Sequence, residues 1–119
     1  MRGRPCAVYA SDMRVQVPAS NLYVYPDIVV VCGTPQFEDS DVDTLLNPTL
    51  IVEVLSHSTE CRDRGVKAQG YRRLDSLAAY LLIAQDRCRI ELYMRQADTR
   101  WSLVDFVALH ETITLDALH

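Results

Sequence analysis

Asp27 and Glu53 each interrupt an apolar run, the first in Tyr25-Pro26-Asp27-Ile28-Val29-Val30-Val31 and the second in Leu50-Ile51-Val52-Glu53-Val54-Leu55-Ser56. Buried strands do not normally carry acids, because an ionised carboxylate in low dielectric needs a cation, an ion pair or dense hydrogen bonding. Two such acids in separate core strands therefore suggest a shared positive partner. Asp63, Lys67 and Tyr71 follow at four-residue steps, which on a helix puts a cation on the same face as a third acid and a phenol. Asp27, Glu53 and Lys67 then read as a metal-dependent phosphodiesterase site. The two carboxylates would hold Mg2+ (or Mn2+), a cation that prefers hard oxygen ligands and keeps several waters, with the carbonyl of Val54 as an extra ligand. Lys67 would orient water or stabilise the leaving charge.

Each residue also has a plainer reading. Asp27 after Pro26 suits local bonding to backbone amides at a strand entrance. Glu53 suits a structural salt bridge with an arginine, and Lys67 a solvated helix position. Asp63 either orients Lys67 or stabilises the helix through an i, i+4 pair, and Tyr71 either bonds a phosphate oxygen or packs. His57, near the expected helix start, reads as a surface residue outside the catalytic set.

The Pro26-Asp27 strand, Val52-Glu53-Val54-Leu55-Ser56 with Ser58-Thr59, the Asp63, Lys67, Tyr71 spacing and Ala79-Tyr80-Leu81-Leu82-Ile83 together resemble the Uma2 family, also called DUF820, of the PD-(D/E)XK nuclease superfamily. The resemblance runs from about Cys6 to about Trp101. It implies an α/β, restriction-endonuclease-like mixed sheet with a flanking helix, DNA as substrate, and magnesium held by Asp27 and Glu53. Ser56, Asp63 and Tyr71 would be the supporting residues. The superfamily's lysine ordinarily stands two residues beyond the second acid, where this chain has Leu55, and Lys67 looks like its migrated equivalent. Family members ordinarily carry a helical segment ahead of the first strand, whereas Met1-Arg2-Gly3-Arg4-Pro5 leads almost directly into the sheet. An N-terminally shortened sheet would leave a face or edge exposed, so a homodimer is expected.

Composition suits one domain over residues 1–119, with 49% hydrophobic and 24% charged residues. No apolar run approaches the roughly 20 residues that cross a bilayer, and the N-terminus shows no signal segment, so a cytoplasmic location is expected. The net charge of -4 argues against a protein that coats polyanions. It leaves a nuclease open, because Arg62, Arg64, Lys67, Arg72 and Arg73 gather in one short stretch while acids crowd the Glu38–Asp43 run. Asp39, Asp41 and Asp43 imitate the start of a calcium loop, but Thr44 and Leu50 stand where its glycine and closing glutamate belong. Cys6, Cys32, Cys61 and Cys88 form no C-x-x-C pair and read as buried free thiols.

Strands are expected at Cys6 to Tyr9 and Met13 to Val17, joined as a turn or hairpin, with one wet face on the second. Ile28 to Val31 reads as a central strand buried on both faces, and Gln36 to Asn47 as a surface loop. Pro48 restarts an apolar strand, a helix follows over about Glu60 to Leu74 with Val66 and Tyr71 inward, and Tyr80 to Ala84 pairs with Cys88 to Arg95. Strands around Trp101 to Val107 and Thr112 to Leu115 complete the sheet.

The leading reading is a metal-dependent endonuclease that hydrolyses DNA phosphodiester bonds. Its rival is a catalytically inactive, dimerising or nucleic-acid-binding remnant of the same fold. A small-molecule hydrolase using His57 and a cysteine is a third.

Overall fold

Alternation and β-branching decide most of the described structure. The computed structural model describes residues 5–10, 12–17, 22–38, 44–55, 68–84, 90–97 and 100–106. Among these residues nine strands and one short helix follow in the order β1 (Cys6–Tyr9), β2 (Arg14–Val17), β3 (Leu22–Val24), β4 (Ile28–Cys32), β5 (Thr44–Leu45), β6 (Leu50–Leu55), α1 (Ala68–Tyr71), β7 (Ala79–Ala84), β8 (Ile90–Arg95) and β9 (Trp101–Phe106).

Six strands form one mixed sheet in the order β1-β4-β6-β7-β8-β9, and β3-β2-β5 form a second. Within the large sheet only β6 and β7 run parallel, with Glu53 opposite Leu82. A parallel step needs a crossover of a dozen or more residues, and the connection containing α1 supplies it. β7, β8 and β9 then form an antiparallel meander in which Leu82 faces Glu91.

The large sheet is apolar on both faces. Val29, Val31, Ile51, Leu55, Tyr80 and Leu82 pack under Val15, Val17 and Val24 of the small sheet and under Tyr71, Leu74 and Leu77. On the outer face Val30, Cys32, Leu50, Val52, Leu81 and Leu92 form a second cluster. This explains the uninterrupted runs in β4, β6 and β7, since a strand covered on both sides has no wet position to alternate with. In β2 the alternation holds, with Val15 and Val17 buried and Arg14 and Gln16 half-buried.

Several expectations change. Cys6 to Tyr9 and Met13 to Val17 do not form a hairpin: β1 pairs with β4, whereas β2 pairs with β3 and β5. The turn at Met13, whose N–H donates to the Ala10 carbonyl at 3.1 Å, hands the chain from one sheet to the other. β4 is interior but next to the edge strand β1, and the middle of the sheet belongs to β6 and β7. The expected loop over Gln36 to Asn47 contains buried β5 and a bridge from Phe37 to Leu45, because Thr44 and Leu45 fit beside β2. The strand after Pro48 begins at Leu50. The helix ends at Tyr71, three residues before Leu74, and the next residues turn. Its expected start and Val66 lie outside the described residues, as do Cys61, Cys88 and Thr112 to Leu115.

Cys6 and Cys32 are not free thiols. They are joined by a disulfide across the β1–β4 register, with Cα atoms 4.0 Å apart. The N–H of Gly33 donates to the Pro5 carbonyl at 2.9 Å, so the next pair along is hydrogen-bonded and the cysteine pair occupies the close, non-hydrogen-bonded position.

Candidate active site

The strand entrance at Pro26-Asp27 and the middle of β6 meet by register. Ile28 faces Val52 across β4 and β6, so Asp27 and Glu53 stand one step further along the same antiparallel pair. Continuing the register sets Pro26 opposite Val54. Proline has no N–H for a ladder, and here the Asp27 carboxylate engages β6 directly, its Oδ2 accepting the Val54 N–H at 2.7 Å. Asp27 itself remains exposed.

Glu53 lies inside, with 3% of its surface exposed. Its Oε1 accepts a hydrogen bond from the Tyr71 hydroxyl at 3.1 Å. Tyr71 is buried at the end of α1, as expected, but its phenol is aimed at the carboxylate. The helix can approach because Gly70 has no side chain: a Cβ there would lie 2.5 Å from Val17 Cγ1.

Around this pair is an aromatic cluster that local sequence did not reveal. Tyr71 meets Tyr80 edge-on at 5.9 Å, Tyr80 stacks on Tyr93 at 4.5 Å, and Trp101 lies 5.4 Å from Tyr80. Burial pushes the Tyr80 hydroxyl above its ordinary pKa, partly opposed by the hydrogen bond and charge of Arg72. Glu91 was also missed. It is as buried as Glu53 and lies on the same face, with Leu82 between them in the cross-strand row. Its signal was present in Ile90-Glu91-Leu92, an acid between apolar neighbours as at Glu53.

The structure thus brings together Asp27, Glu53, Val54 and Tyr71. Ser56, Asp63 and Lys67, with His57, lie outside the described residues. Among the described residues no cluster of three or more histidine, cysteine, aspartate or glutamate side chains gathers. No helix among them is long and apolar enough to cross a membrane.

This arrangement can be set beside known proteins. The family described as "Uma2: Putative restriction endonuclease" matches residues 1–119. The chain belongs to the Uma2 family. Two relatives from Synechocystis sp., the uncharacterized proteins sll1609 and slr1290, are 38% and 34% identical to it. The matches cover 87% and 89% of this chain but 59% and 55% of theirs, so the chain spans little more than half the length of these relatives. A crystal structure from Anabaena variabilis, described as a putative nuclease belonging to DUF820, superposes with a TM-score of 0.72 at 14% identity. The superposition covers 95% of this chain and 61% of the other. The Uma2 chain therefore has the restriction-endonuclease-like mixed sheet, with little helix among the described residues.

Proposed function

We propose that this Uma2 chain hydrolyses phosphodiester bonds of DNA with a divalent metal held at Asp27 and Glu53. The observation that carries the reading is the placement of these acids, one exposed at a strand entrance and one buried, on adjoining strands and linked through the Val54 amide. Family membership supports the nuclease class.

The donor set fits magnesium. Asp27 and Glu53 offer hard carboxylate oxygens, and magnesium is bound through one or two carboxylates while keeping several waters. The carbonyl of Val54 would add a third oxygen. When bound, the metal would neutralise charge developing on the phosphate and acidify a coordinated water.

The chain's own groups have separable tasks. Tyr71 orients the Glu53 carboxylate through Oε1, and the Val54 N–H fixes Asp27. The apolar walls around Glu53 strengthen its attraction for a cation. Lys67 belongs to the same proposal as the group that steadies water or leaving oxygen, with Asp63 and Ser56 supporting it. A homodimer remains the expected assembly, supported by Val8, 68% exposed on edge strand β1, and exposed Val104 on the other edge, β9.

The test is calorimetric titration of magnesium and manganese into wild type and Glu53→Gln, followed by nicking assays on supercoiled DNA. Binding and nicking by wild type alone would support the reading. Metal-independent nicking, or equal metal binding by both proteins, would overturn it.

A further inference from the structure

Among the arginines around the aromatic cluster, Arg72 and Arg95 use their guanidinium groups differently. Arg95 donates from Nε to the Leu77 carbonyl at 2.9 Å and from one terminal nitrogen to the Leu74 carbonyl at 2.7 Å, and it lies 4.7 Å over the Trp101 ring. Its fork is occupied by backbone, which is a structural task. Among the described residues Arg72 donates from Nε alone, to the Tyr80 hydroxyl at 3.1 Å, while its guanidinium lies 5.4 Å from the centre of the Tyr93 ring. Among the described residues no carboxylate pairs with it, and the side chain is exposed.

This group is therefore charged, oriented and open. A hydroxyl holds one edge and a ring supports one face, so little further order is needed before the terminal N–H donors meet an anion. Tyr80 is buried and stacked on Tyr93, which makes the support rigid. The two terminal nitrogens suit the bidentate geometry of a phosphate.

Its position gives the ligand. Tyr80 and Tyr93 face each other in the row beside that of Glu53, Leu82 and Glu91, on the same face of the sheet. Tyr93 stands two strands across and one row along from Glu53, about 10 Å and about 7 Å, or about 12 Å in all, which corresponds to roughly three to four nucleotides of duplex rise. Arg72 also directly follows Tyr71, the residue bonded to Glu53.

We propose that Arg72 is a preformed phosphate clamp for the nucleic-acid backbone entering the Asp27–Glu53 site. The proposal rests on the nuclease reading above and deepens it. Arg72 positions the strand and takes no part in the chemical step.

The experiment measures binding of a fluorescent DNA duplex to wild type, Arg72→Met, Arg72→Lys and Tyr80→Phe across a potassium chloride series in EDTA. Magnesium-dependent plasmid nicking is measured in parallel. Arg72→Met keeps an unbranched apolar stem over Tyr93 and is expected to weaken binding about tenfold and to reduce the salt slope by about 0.9, one phosphate's worth. Arg72→Lys and Tyr80→Phe should keep the wild-type slope while raising Kd and KM, because charge remains but the fork or its support is lost. Unchanged Kd and slope in Arg72→Met, with wild type binding DNA, would overturn the clamp and leave the nuclease reading standing. DNA binding without nicking by wild type would overturn the nuclease reading while the slope still decides Arg72. Absence of DNA binding by wild type would overturn both. Should circular dichroism show Arg72→Met unfolded, the other two variants decide: raised Kd at constant slope supports the clamp, and unchanged Kd overturns it.

Discussion

Asp27 Oδ2 accepts the amide N–H of Val54 at 2.7 Å, so the exposed acid is tied to the residue that directly follows the buried one. A single hydrogen bond thereby couples the entrance of β4 to the middle of β6. The carboxylate has two separable properties, an acceptor for Val54 and a charge for a cation.

Asp27→Asn and Asp27→Ala should separate those properties. Asparagine keeps an acceptor oxygen, so Asp27→Asn should unfold within about 0.5 kcal/mol of wild type, whereas Asp27→Ala should lose about 1 kcal/mol. Both should lose magnesium binding. Urea denaturation and calorimetry on the two proteins check this, and retained metal binding in Asp27→Asn would remove Asp27 from the ligand set.

Tyr71→Phe should destabilise the protein by about 1.5–3 kcal/mol, the usual range for a hydrogen bond to a charged group, because the buried Glu53 carboxylate loses a donor. Metal affinity should fall with it, since the Tyr71 hydroxyl no longer helps to orient the carboxylate. Denaturant melts with metal titration test both effects. A stability loss with unchanged metal affinity would confine Tyr71 to packing.

Gly70→Ala ordinarily favours a helix, yet here it should destabilise by about 1–3 kcal/mol, because the new Cβ would meet Val17 Cγ1 at 2.5 Å. Val17→Ala should remove that contact, so the double variant should be more stable than the sum of the single losses implies. A double-mutant cycle measures the coupling. Additive losses would show that α1 does not rest on β2 in this way.

The Cys6–Cys32 disulfide closes a loop with a sequence separation of 26, for which chain entropy gives a stabilisation of about 3.5 kcal/mol. Reductant should lower the Tm of wild type and leave Cys6→Ser unaffected. Thermal melts with and without dithiothreitol distinguish the cases, and an insensitive wild type would show that the bond does not form in solution.

Tyr80 supplies a pH dependence. Its folded pKa is raised by burial above an unfolded value of about 10, so the unfolded chain loses this proton first. The contribution is complete below pH about 10 and is lost as pH rises toward the higher folded pKa. Tyr80→Phe should flatten the alkaline fall in stability, which urea midpoints measured across that range would show.

Much of the site was written in local sequence. Pro26-Asp27 marked a strand entrance, and an acid between Val52 and Val54 marked a buried charge, because both features depend on immediate neighbours. The β-branched runs of β4 and β6 likewise announced strands covered on two faces, and the combined motifs identified the family. Tertiary structure alone decided the long-range pairings. It moved β1 and β2 into different sheets, joined Cys6 to Cys32, and buried Glu91 on the same face as Glu53. It also set Arg72 on the Tyr80 and Tyr93 support. The physical reason is that local periodicity tells whether a residue suits a covered strand. Which strand covers it, and in what register, follows from packing both faces of the whole sheet and from the crossover between β6 and β7.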